Sequence, residues 1–332
     1  MFLPWVLFVV FILFLLFLDL GVFHRKDTVI EAKEAILWTI FWIFLALLFN
    51  VFIFYAYSYN WVGIGLSATS IQSGNEAAIK YFTGYIIEKS LSLDNIFVIA
   101  MIFSYFNVPA KYQHRVLFWG ILGALIMRGI MIFAGTALIL KFDWMIYVFG
   151  GFLILTAIKM LITRHDNIDP EKNILIKIAK RIFPVTVSFE GHKFFSKINQ
   201  TMAITPLFLV LIVIESTDIL FAIDSIPAIF AVTTDPFIVF TSNIFAILGL
   251  RSLYFALAAL MDKFRFLKMS LVFVLAYVGI KMILSHSYPI PTAISLSIIG
   301  TILFVGIAAS LVGSKKDTAK LKSPLLEDQQ QK

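Results

Sequence analysis

The sequence contains no cysteine, which excludes disulfides, thiolate metal sites, iron–sulfur clusters and thiol redox chemistry within the chain. Any metal it handles must meet oxygen or imidazole, a preference shared by hard ions such as magnesium, calcium and manganese(II). Histidine is scarce too, with five residues among 332, and they form no metal-ligand spacing. There is no GxxxxGK[ST] phosphate loop, so no ATPase engine is expected. Charge is sparse: 14% of residues are Asp, Glu, Lys or Arg, against about 25% in a soluble domain. Nothing here assembles a catalytic centre. No enzyme and no tightly bound cofactor are expected.

What fills the chain instead is apolar. Sixty per cent of residues are hydrophobic, 35 of them Phe, and the mean hydropathy is +0.93. Soluble domains run about 45–50% apolar, so the excess must face lipid. Apolar runs of about 20 residues recur from end to end, each long enough to span a bilayer. The reading is an all-α polytopic membrane protein of about nine transmembrane helices, at 3–23, 35–57, 79–105, 116–139, 142–162, 203–231, 237–258, 266–285 and 292–312. The first run lacks a basic n-region and an A-x-A cleavage site, so it reads as a retained helix.

The +7 net charge does not call for nucleic acid, because the basic residues sort by loop. Twenty of the 27 fall in alternate connections and the C-terminal tail, while the other connections hold only Lys80 and Lys141. The positive-inside rule then places the N-terminus outside and the C-terminus in the cytoplasm, as nine spans require. The expected plan is two N-terminal helices (1–78), a first three-helix unit (79–162), a cytoplasmic loop (163–202), a second unit (203–285), a ninth helix (286–312) and a disordered tail (313–332). Within the loop, "NILIKIAKRIF" alternates apolar and basic residues. It reads equally as an amphipathic helix on the membrane surface or as a solvated loop with one packed helix.

The two units resemble each other. "SLDNIFVI" (92–99) matches "STDILFAI" (216–223) at four of eight positions, setting Asp94 on Asp218 at an offset of 124. Arg128 faces Arg251 at 123, and Lys159 faces Lys281 at 122. Intramembrane charges are rare, so three matches in order point to a duplicated unit. An odd number of spans inserts the copies in opposite orientations, the inverted-repeat plan of many transporters.

Within the spans lie the acids Asp19, Glu88, Asp94, Glu215, Asp218 and Asp224 and the bases Lys89, Arg128, Lys159, Arg251 and Lys281. Each costs about 2.5–3.5 kcal/mol at a helix centre, so each must be paired, protonated, hydrated or bound to a cation. Asp94 with Asn95, and Glu215 with Asp218 and Asp224, form an oxygen-rich set suited to a divalent cation. For Glu88 a functional and a pairing role weigh evenly. Pairing is the expected role of Arg128, Arg251, Lys159 and Lys281, with gating second, and Arg128 and Arg251 are placed to neutralise Asp94 and Asp218. Asp19 reads as an interfacial or pairing residue. Pro227 removes a backbone donor, so a kink or break is expected in that span.

"GYIIEKSLSLDNIFV" (84–98), the run from "LIVIESTDILF" to "LGLRSLYF" (211–255), and "YVGIKMIL" (277–284) resemble the TerC family of bacterial integral membrane proteins, nearest to its Alx-like branch. The resemblance covers nearly the whole chain apart from the tail and most of loop 163–200. It implies a relative of tellurium-resistance proteins, within a superfamily of exporters built from duplicated three-helix units. It further implies manganese(II) efflux through intramembrane acids, here Glu88, Asp94, Glu215, Asp218 and Asp224. The expected function is export of a divalent metal ion, most simply manganese(II), across the bacterial inner membrane. The alternative is a non-transporting membrane protein that supports tellurite, redox or envelope-stress resistance through partners. The expected partners are the metal ion and the lipid bilayer, with a homo-oligomer or a membrane partner left open.

Overall fold

A computed structural model describes residues 3–19, 32–66, 73–162, 173–198, 201–258, 267–285, 287–288 and 290–310. The predicted disordered tail at 313–332 lies outside them. The helices are α1 (Leu3–Leu18), α2 (Ala32–Ser58), α3 (Gly74–Tyr105), α4 (Ala110–Lys141), α5 (Met145–Ile162), α6 (Ile174–Ile182), α7 (Pro206–Phe230), α8 (Pro236–Leu248), α9 (Leu250–Ala258), α10 (Leu267–Leu284) and α11 (Thr292–Ser310). Six segments are long and apolar enough to cross a membrane: α2, α4, α5, α7, α8 taken with α9, and α11. The chain is a multi-pass membrane protein, helical apart from one hairpin among the described residues.

The remaining helices miss those limits for visible reasons. Helix α1, with 16 residues, is short, and so is the apolar part of α10, Met269–Leu284. Helix α3 has 32 residues, about 48 Å of rise, but carries Glu76, Lys80, Glu88, Lys89 and Asp94. Its start is set by Ser73, whose Oγ accepts from the Glu76 N–H at 3.2 Å.

Apolar side chains point outward as well as inward. Phe44, Leu155 and Phe304 are all exposed, on faces that a bilayer covers. Helix α8 is the exception, since 94% of its span window is buried, with Thr241, Ser242 and Asn243 fully enclosed. A helix apolar nearly all round belongs in the centre of a bundle.

Around α8 the helices pack in a definite order. Helix α3 lies on α7 and α8, α4 on α7 and α8, and α5 on α10, while α2 covers α3 and α9. At the α5–α10 crossing a Cβ on Gly150 would stand 3.0 Å from the Gly279 carbonyl oxygen, and one on Gly279 2.9 Å from that of Gly150. Only glycine lets the two backbones touch there. Trp5 and Phe8 of α1 pack their rings against Phe237 and Phe240 of α8.

Three details differ from the sequence-based expectation. Helix α7 continues through Pro227 to Phe230, so no break occurs there. The break falls in the predicted span 237–258, where α8 stops at Leu248 and α9 begins after Gly249. Lys89 meets that break, donating to the Ala246 carbonyl at 3.1 Å, where a cation complements the helix C-terminus. Finally, the predicted loop holds, besides the expected short helix α6, an antiparallel hairpin that runs on past the loop's end, β1 (Phe195–Ile198) with β2 (Thr201–Ile204), paired from Phe195↔Ile204 to Ile198↔Thr201.

Candidate functional site

One guanidinium ties four helices together. Arg128 of α4 is 1% exposed and grips Asp218 of α7 with one edge, Nη2 to Oδ1 at 2.9 Å and Nε to Oδ2 at 3.2 Å. Its Nη1 donates to Glu88 Oε1 of α3 and to Asn243 Oδ1 of α8, the latter at 3.0 Å. Asn243 closes the ring by donating Nδ2 to Glu88 Oε2 at 3.2 Å. The bidentate fork gives directional bonds that a lysine cannot supply. Two carboxylates face one cation, so with both ionised the cluster carries a formal charge of −1.

Arg251, the sequence counterpart of Arg128, holds something else. It pairs with Asp19 at the end of α1, and both side chains are buried. The sequence-based pairing with Asp94 or Asp218 is therefore corrected for Arg251. For Arg128 the partner Asp218 agrees, with Glu88 added. Asp19 is a pairing residue, as its position implied.

Beside the Arg128 cluster lies a cavity of about 720 Å³. Helix α3 lends it Glu88, Asp94 and Asn95; α5 lends Thr156 and Lys159; α7 lends Thr217, Asp224 and Ser225. Asp224 accepts from Thr156 Oγ1 at 3.0 Å. Among the described residues the Ser225 hydroxyl, on a residue 2% exposed, has no hydrogen-bond partner. An enclosed polar atom left unsatisfied is a place for a ligand or water to bind.

Of the six predicted metal residues, Glu88, Asp94, Asn95 and Asp224 line this cavity. Asp218 turns to Arg128 and, with Asn95, to a smaller pocket of about 30 Å³. Glu215 packs against α4 so closely that a Cβ on Gly123 would overlap its carboxylate. Among the described residues, no three His, Asp or Glu side chains gather closely enough to hold a metal ion. Lys159 lines the cavity, whereas Lys281 is buried on α10 outside its lining.

Sequence reasoning missed several members of this network. Asn243 was legible, since "FTSN" sets three polar residues in an apolar run that proves fully buried. Ser225 could be read from the sequence as a hydroxyl flanking the second acidic cluster, whereas Thr156 gave no comparable signal, because hydroxyls are common in membrane helices, where they bond to their own backbone. At the other end of α8, Tyr57 donates to Asp235 Oδ2 at 2.7 Å. Asp235 Oδ1 caps the helix by accepting from the Phe237 N–H at 2.9 Å. Burial pushes the Asp235 carboxyl above its ordinary range, and the bonds from Tyr57 and the backbone oppose that rise.

Residues 73–318 match the family model described as integral membrane protein TerC family. The chain belongs to the TerC family. It is 50% identical over 311 residues to an uncharacterized membrane protein of Myxococcus xanthus, covering 94% of this chain and 92% of that one. It is 43% identical over 304 residues to a Photorhabdus laumondii protein provisionally named membrane-bound redox modulator Alx, covering 91% and 92% of the two chains. An Escherichia coli protein with the same name is 42% identical over 322 residues, covering 96% and 98%. No solved structure matches the chain significantly. The charged ring around Arg128 and the neighbouring cavity both lie within the part that matches the TerC model.

Proposed function

We propose that this TerC-family protein is an inner-membrane transporter that exports a divalent metal ion, with manganese(II) as its substrate. The observation that carries the reading is the cavity among the membrane helices, with Glu88, Asp94, Asn95 and Asp224 on its walls. Intramembrane carboxylates around an open volume are the ordinary equipment of an ion pathway. Carboxylate, amide and hydroxyl oxygens suit a hard cation, and a cysteine-free chain offers no thiolate to a soft one. Donors spread along the walls suit a passing ion better than a resident one.

The reading includes nine spans, an outside N-terminus and an inverted repeat that pairs α3 with α7, α4 with α8 and α9, and α5 with α10. The packing supports the repeat. Exchanging the partners turns the α3–α8 contact into α7–α4, and leaves α3–α7, α4–α8 and α5–α10 unchanged. A site between two such units is where alternating access works. In this scheme Arg128 stands in for the cation. It holds Asp218 and Glu88 in one state and releases them to the ion in another, with proton antiport or the membrane potential as drive.

A second reading, a non-transporting membrane protein that acts through partners, has one observation in its favour: Asp218 and Glu88 are already paired with Arg128. Manganese uptake into inverted membrane vesicles separates the two. The transporter reading expects uptake by the native chain and its loss in Asp94→Asn and Asp224→Asn. Native vesicles without uptake, or both variants at native rate, would leave the scaffold reading standing alone.

A further inference from the structure

Helix α6 presents three distinct sectors when its nine residues are laid out at about 100° each. Ile176 and Ala179, 2% and 9% exposed, face the protein and join Leu207 and Val210 of α7 in one apolar cluster. Ile174, Leu175, Ile178 and Ile182 form a second arc, exposed at 71%, 46%, 47% and 64%. Lys177, Lys180 and Arg181 fill the third, all exposed. Among the described residues none of these three cations is in an ion pair.

The position of α6 decides what covers the apolar arc. Leu207 and Val210 lie in the opening turns of α7, which is long and apolar enough to cross a membrane. Helix α6 therefore sits at the level where α7 enters the bilayer. An isolated helix of nine residues is marginal in water, so its exposed apolar arc needs an apolar neighbour. The basic arc beside it needs an anionic one.

We propose that α6 lies in the membrane interface, with its isoleucine arc in the acyl boundary and Lys177, Lys180 and Arg181 on anionic phospholipid headgroups. Three cations at such a surface favour the docked state on the order of a hundredfold. The helix begins at Asn173, whose Oδ1 caps it by accepting from the Leu175 N–H at 2.8 Å. Asn173 also lines the large cavity. Lipid that holds α6 thereby holds one edge of that cavity. The inference goes beyond the transport reading and stands without it.

The absence of natural cysteines allows a single reporter in the full-length chain. Ile178→Cys, labelled with an environment-sensitive fluorophore, is reconstituted into vesicles of phosphatidylcholine with or without phosphatidylglycerol. With phosphatidylglycerol, the label is expected to shift to the blue, to be quenched by nitroxide lipid and to be shielded from aqueous iodide. Removing phosphatidylglycerol, or adding Lys177→Gln, Lys180→Gln and Arg181→Gln together, should restore iodide quenching. Equal iodide quenching in all vesicles would overturn the proposal. So would a shielded label that forms disulfides between copies through position 178, since a second chain would then cover the arc. Nitroxide quenching indifferent to both lipid charge and the triple substitution would remove the anionic headgroups from it.

Discussion

Arg128 and Arg251 stand 123 residues apart at matching points of the two proposed repeats, yet they hold different things. Arg128 binds across the repeat interface to Asp218 of α7, and within its own unit to Glu88 of α3. Arg251 binds Asp19 of α1, a helix that belongs to neither repeat. A strictly symmetric bundle would have set Arg251 on Asp94. Helix α1 supplies a competing carboxylate, and Asp94 remains on the cavity wall. One arginine thus closes the centre of the bundle and the other fastens an outer helix to it. The added helix makes the two halves of the proposed repeat unequal.

The largest expected effect is that of Arg128→Met. It strands the buried Glu88 and the partly buried Asp218 and should cost about 3–5 kcal/mol, read as thermal unfolding in detergent. Next comes a double-mutant comparison. Asp19→Leu or Arg251→Met alone should each cost about 3 kcal/mol, while the pair together should return to within about 1 kcal/mol of the native chain. Arg128→Met with Asp218→Leu should not recover in this way, because Glu88 stays buried without its cation. Equal recovery in both pairs would dissolve the distinction between the two arginines.

Smaller effects probe the surroundings of Arg128. Gly123→Ala forces a methyl group into the space of the Glu215 carboxylate and should cost about 1–3 kcal/mol, again by thermal unfolding. Asp94→Asn should cost less stability than Arg128→Met, because the amide keeps the shape of the side chain and leaves Arg128 with both its carboxylates. Its expected mark is on manganese flux. Unfolding as severe as that of Arg128→Met would instead make Asp94 part of the structural ring.

Several of these relations were legible in the chain and others were not. The Asp94–Asp218 and Arg128–Arg251 matches were visible because charges stand out against apolar runs. Asn243 left a fainter mark, as one of three neighbouring polar residues in an apolar run, and was missed. The partner of Arg251 was not visible, since Asp19 lies 232 residues away in a helix with no repeat counterpart. Pro227 misled, because a helix can continue past a proline when neighbouring helices enclose it, while the break came at Gly249. Glu215 misled as well. It shares a helix face with Asp218, but the space opened by Gly123 takes its side chain out of the cavity.

The motifs at 84–98, 211–255 and 277–284 carry the resemblance to the TerC family, while composition, run length and the spacing of rare charges settle from the chain alone that this is a multi-pass helical membrane protein. They do so because the cost of burying charge in hydrocarbon leaves a mark at every position where it is paid. Which carboxylate meets a cation and which faces the cavity was decided by packing. In a bundle where every helix is apolar, a few glycines and one extra helix choose among pairings that look equivalent along the chain.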